Sequence, residues 1–99
     1  MNSNQVYNAA KSYENDTFTF GGVVTNDDTS LLKNLTRNNF FFIANTLSSK
    51  DLNMMGHWTV FVISGSILFF IDSYGMNPSS YGGIIHDFFS YFPLKKKLL

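Results

Sequence analysis

Two short apolar runs dominate the hydrophobic pattern, residues 58–63 (WTVFVI) and 67–71 (ILFFI), with Ser64-Gly65-Ser66 between them and His57 and Asp72 at their outer ends. Each has strand length and is rich in β-branched and aromatic side chains, so the pair predicts a hairpin. Residues 40–44 (FFFIA) form an uninterrupted apolar run, which predicts a strand buried on both faces. Phe18-Thr19-Phe20 followed by Gly21-Gly22-Val23-Val24 predicts a strand with a glycine bulge or bend, closed by the polar turn Asn26-Asp27-Asp28. Helical spacing appears three times. Val6, Ala9, Ala10 and Tyr13 predict a short helix over 3–13 with Ser3 as N-cap, and residues 29–35 predict another capped by Asp28 or Thr29. Ile84, Ile85, Phe88, Phe89 and Phe92 predict a helix over 81–92, capped by Ser79 or Ser80, stopped by Pro93 and packed on the sheet. The expected fold is α+β, a small mixed or antiparallel sheet with packed helices. It forms a single domain over 1–99, with a core at 18–92 and a tail at 94–99 that has no evident partner.

The hairpin raises a chemical question. With Ser64-Gly65 as a two-residue turn, Ile63 pairs with Ser66 and His57 falls directly opposite Asp72, about 5 Å away at Cβ on one sheet face. A three-residue turn places His57 beside Ser73 instead. A carboxylate beside an imidazole fixes its tautomer and stabilises its protonated form, as a base serving a nucleophile requires. A structural His/Asp hydrogen bond at a sheet end fits the same spacing. The polar stretch 47–56 that precedes His57 is of the length at which loops in small domains carry function.

Composition narrows the classes. Seven basic and seven acidic residues give a net charge of zero, so no overall field favours nucleic acid or an anionic membrane, and the only charge run is Lys95-Lys96-Lys97. The chain contains no cysteine, which excludes disulfides, thiolate metal sites and a thiol nucleophile drawn from these residues. Residues 58–71 fall short of the roughly 20 needed for a spanning helix and are broken at Ser64-Gly65-Ser66. The N-terminus lacks the basic start and apolar core of a signal peptide. An intracellular location is therefore expected, and the glycosylation patterns Asn15-Asp16-Thr17 and Asn34-Leu35-Thr36 carry no weight. His57, His86, Asp72 and Asp87 lack zinc-ligand spacing, so no metal and no cofactor are expected. Ser73 leaves the strand on the face opposite Asp72, and Ser79 and Ser80 lack a nucleophile-elbow pattern.

Asn45-Thr46, the polar loop, Gly56-His57-Trp58, an apolar strand, a turn, a second apolar strand, Asp72-Ser73-Tyr74-Gly75 and Pro78 together resemble the adenovirus-type (adenain-like) cysteine endopeptidases. The likeness is nearest to the proteases of Polinton/Maverick elements and related viruses. The order is distantly similar to that of the ubiquitin-like-protein proteases. The resemblance covers residues 18–92, weakly at Phe18-Thr19-Phe20-Gly21-Gly22-Val23 and strongly from Asn45 to Gly75. It implies an incomplete papain-like fold with His57 as general base and Asp72 as the acid that orients it. Trp58 resembles the aromatic neighbour of the oxyanion region, though a core tryptophan fits as well, and Gly56 and Asn45 belong to the same neighbourhood. By position, residues 51–56 border a substrate cleft, with Met54 and Met55 as loop anchors or peptide contacts.

The departure from that family is chemical. Its oxyanion Gln and its Cys nucleophile, at a helix start, lie well downstream of the acid, and this chain has no Cys. The resemblance implies a truncated viral or mobile-element thiol protease that processes structural precursors, located in the host nucleus or cytoplasm or in the virion. Its partners would be a polypeptide substrate or viral structural protein, and a second chain supplying the Cys. A catalytically inactive module that binds a peptide or capsid protein is the alternative. Residues 95–97 offer weak contact to nucleic acid, which adenovirus-type proteases use as a cofactor, and otherwise a solvated tail.

Overall fold

A computed structural model describes residues 2–51 and 56–99. Helix α1 spans Ser3–Lys11, and its N-cap is Asn2, one residue earlier than expected. The Asn2 side chain accepts from Gln5 N–H while the Gln5 side chain accepts from Asn2 N–H, each at 2.9 Å. This reciprocal box satisfies two otherwise orphaned donors, which Ser3 at the cap would not match without an acceptor side chain three residues on. Val6 and Ala10 form the buried stripe of α1.

Five strands follow, β1 (Thr19–Val24), β2 (Phe40–Asn45), β3 (Trp58–Ser64), β4 (Ile67–Asp72) and β5 (Lys95–Leu98), and they lie in that order across one sheet. The outer pairs β1/β2 and β4/β5 are parallel, whereas β2/β3 and β3/β4 are antiparallel, so the sheet is mixed. Parallel neighbours need crossovers. One contains a 3-10 helix (Thr29–Asn34) capped by Asp28, and the other contains helix α2 (Gly83–Tyr91). Leu31 from the first and Ile84, Ile85 and Phe88 from the second join Phe42, Phe61 and Phe70 in one buried cluster, so both crossovers cover the same face.

The glycine bulge expected in β1 is present. Phe20 pairs with Phe41 and Val23 with Ile43, so three steps on β1 match two on β2. One extra residue reverses the facing of the strand beyond it. Phe20 therefore stacks on Phe41 beneath α1, while Val24 enters the cluster beneath α2.

Three expectations need correction. The β2 strand is sealed on one face only, because Phe40, Phe42 and Ala44 are buried whereas Phe41 and Ile43 are half-buried. Ser79 and Ser80 do not cap α2, since residues 78–80 form a separate 3-10 turn and the N-cap is Gly82, which supplies no side chain. The orphaned donors of α2 are met from β1's end instead. The Asn26 backbone carbonyl accepts from Ile84 N–H and its Oδ1 accepts from Ile85 N–H, each at 2.9 Å. Lastly, the expected partnerless tail contains β5. Pro93 ends the helix and returns the chain along β4, where Lys96 Nζ lies 5.4 Å from the Phe89 ring centroid and donates to Ser90 O at 3.1 Å. A lysine can lay its alkyl stem on apolar surface while its head stays wet, so the charge run disguised a strand.

Candidate active site

His57 stands just before β3 and is held by its backbone. Its N–H donates to Thr46 Oγ1 at 3.1 Å and its carbonyl accepts from Thr46 N–H at 2.9 Å. Asp72 ends β4, and its carboxylate turns the chain. Oδ1 accepts from Tyr74 N–H and Oδ2 from Met76 N–H, each at 3.1 Å, while Gly75 N–H closes on Asp72 O with Gly75 at φ 68°. An aspartate at a turn start commonly bonds the backbone ahead of it in this way.

The two side chains meet, but by a different register. The turn residues are Gly65 and Ser66, at φ 58° and 63°, rather than Ser64 and Gly65. Positive φ at both centres matches the twist of the flanking strands, and Asn38 Oδ1 accepts from Ser66 N–H at 3.1 Å. Thr59, not His57, is consequently opposite Asp72. The shift equals two residues, which preserves the face, so His57 becomes the diagonal neighbour of Asp72. Its Nε2 lies 2.8 Å from Asp72 Oδ1.

A third member was missed by sequence reasoning. The Tyr81 hydroxyl donates to Asp72 Oδ2, and its oxygen lies 3.0 Å from His57 Nε2. Tyr81 follows the 3-10 turn Pro78–Ser80 and is fixed by Asn26, whose Nδ2 donates to Tyr81 O at 2.9 Å and Gly82 O at 3.2 Å. With its hydroxyl hydrogen committed to Asp72, Tyr81 offers Nε2 only a lone pair, as does the carboxylate. Nε2 therefore carries hydrogen and Nδ1 is the basic nitrogen. Among the described residues Nδ1 makes no hydrogen bond. The ring is flanked by Tyr74, with centroids 4.2 Å apart, and by Tyr81 at 5.3 Å.

Burial is unequal, with the Asp72 side chain 1% exposed and the His57 side chain 18%. Burial alone would raise the Asp72 carboxyl. Hydrogen bonds from Tyr81, Tyr74 N–H, His57 and Met76 N–H outweigh it and hold the group below its ordinary value, so it is ionised at neutral pH. Burial and the Asp72 charge push the Tyr81 phenol up, which keeps it a donor. The cluster can accept a proton at Nδ1 and stabilise the resulting imidazolium with a carboxylate that is already charged.

Other expected site residues lie elsewhere. Asn45 and Trp58 pair across β2 and β3, which places their side chains on the face opposite His57. Asn45 Oδ1 accepts from Leu47 N–H at 2.8 Å, and Trp58 lines an apolar groove beneath α1. Gly56 serves close packing, because a Cβ there would stand 2.6 Å from Leu47 Cγ and 2.8 Å from Asn45 Oδ1. Met54 and Met55 lie outside the described residues. His86 and Asp87 bond each other at 3.0 Å on the exposed side of α2. Among the described residues no helix is long and apolar enough to cross a membrane. No protein-family model matches the chain, and neither the curated proteins nor the solved structures contain a match.

Proposed function

We propose that these 99 residues carry the base and acid of an adenain-like cysteine endopeptidase whose nucleophile comes from outside them. The observation that carries the reading is the hydrogen bond of His57 Nε2 to an ionised, four-donor Asp72, which leaves Nδ1 as the basic nitrogen of a partly exposed ring at a strand end. In this reading Nδ1 takes the proton of an incoming Cys thiol and later returns it to the leaving amine. Asp72 holds the ring and offsets its charge, and Tyr81 holds Asp72. The substrate class is a structural precursor polypeptide.

The test reads the coding sequence past the codon for Leu99 in three frames and expresses the product that continues into a downstream Gln and Cys. That product should cleave precursor peptides in a thiol-sensitive way. His57→Ala should abolish the activity and Asp72→Asn should lower it about 10²- to 10⁴-fold. A product indifferent to His57→Ala, or the lack of any downstream Cys, overturns the proposal. The absence of Cys from the chain favours a second reading, a protease-derived module that binds its peptide without cleaving it.

A further inference from the structure

The sheet has a second face, and its sequence is written for a buried environment. A sheet with one wet face alternates apolar and polar residues. Along β3 and β4, however, the positions facing away from α2 are Trp58, Val60, Val62, Ser64, Ile67, Phe69 and Ile71, and the one polar member, Ser64, stands beside the turn. None of the seven is buried, and Ile71 is 38% exposed. Among the described residues the one helix on this face is α1, which packs on β1 and leaves an apolar groove of about 490 Å³ between itself and Val60, Val62 and Trp58. A continuous apolar surface of this kind on a small domain marks a contact surface.

The rim of that face is positively charged. Lys95 pairs with Ile67 and Lys97 with Phe69, so both lysines share their partners' side of the sheet. The contact of Lys96 with Phe89 on the α2 side confirms the alternation. Both Lys95 and Lys97 are exposed, and neither forms an ion pair among the described residues. The open width over β3, β4 and β5 is two strand spacings, about 10 Å, which is the diameter of one α-helix. A second copy of this chain is a poorer cover, because the outward side of its α1 presents polar Ser3, Asn4, Asn8 and Lys11, and its own matching face carries the same exposed Lys95 and Lys97.

We infer that this face docks an amphipathic helix of a partner protein, laid beside α1 with its apolar stripe on Val60, Val62, Phe69 and Ile71 and an acidic flank against Lys95 and Lys97. The inference concerns the face opposite His57 and stands whether or not the chain serves a protease. Trp58, the single tryptophan, sits in the groove and reports the docking.

The experiment titrates the full chain with a synthetic 18-residue helix bearing a Leu stripe and a Glu flank, and with the same peptide carrying Lys in place of Glu. Trp58 fluorescence should saturate and shift to the blue with the acidic peptide, which should bind about tenfold more tightly than the basic one. The double variant Lys95→Glu, Lys97→Glu should reverse that preference. Its substitutions are on exposed positions, and circular dichroism checks that it folds. Equal affinity for the two peptides overturns the inference, as does equally tight uptake of neutral detergent micelles. So does a dimer seen by sedimentation whose formation itself shifts Trp58, which would make a second copy the occupant.

Discussion

At Asp72 burial and hydrogen bonding pull in opposite directions, and hydrogen bonding wins. Because the folded carboxyl titrates below its unfolded value, it contributes stability above that value and loses it as the pH falls through the folded one. Urea unfolding should show stability falling from about pH 5 downward. Asp27 is also lowered, by Ser49 and Thr25, and acts in the same window. The Asp72 share is isolated by comparison with Asp72→Asn, whose stability should fall less over the same range. Tyr81→Phe removes the hydroxyl donor, so the Asp72 carboxyl, followed by carbon NMR, should titrate higher than in the parent chain. The deletion should cost about 1–2 kcal/mol of stability. An unchanged Asp72 titration would show that the phenol does not hold the carboxylate.

Among the elements, the hairpin shows how a wrong register can give a right contact. The apolar runs 58–63 and 67–71 defined both strands, a two-residue turn put His57 and Asp72 on one face, and that parity survived because the turn moved by one position at each side. The turn itself was misread because Ser66 at φ 63° is unusual for a residue with a Cβ. Ser66→Gly should therefore stabilise the hairpin by about 0.5 kcal/mol, measured by urea unfolding. Tyr81 and Asn26 were illegible for a different reason. Their roles rest on contacts with residues far along the chain, such as Asn26 with Ile85, and no local period records those. The likeness that singled out Trp58 and Asn45 fixed their positions in sequence but not the face on which each points. Lysines 95–97 read as solvent because their charge hid their pairing with β4.

For the whole molecule, the guarding of one sheet edge by β5 matters most. The β5 strand covers the β4 edge with three lysines, which resist pairing with a second sheet. Removing residues 94–99 should expose β4 and cause concentration-dependent self-association, seen by light scattering, whereas the full chain should remain dispersed. Asn26→Ala should cost about 1–3 kcal/mol, because it leaves the Ile85 N–H of α2 and the Tyr81 carbonyl without their side-chain partner. The same residue has a kinetic consequence. Both helices have nine residues, but α1 carries its capping box within its own sequence, whereas α2 takes its cap from a position 59 residues earlier than Ile85. A helix of that length is not autonomous in water, and the cap of α2 arrives only when a long chain segment closes. Loss of the Asn26 contact should accordingly speed unfolding while leaving the refolding rate almost unchanged. Tyr81, tied to the same asparagine, then reaches His57 and Asp72 among the last events of folding.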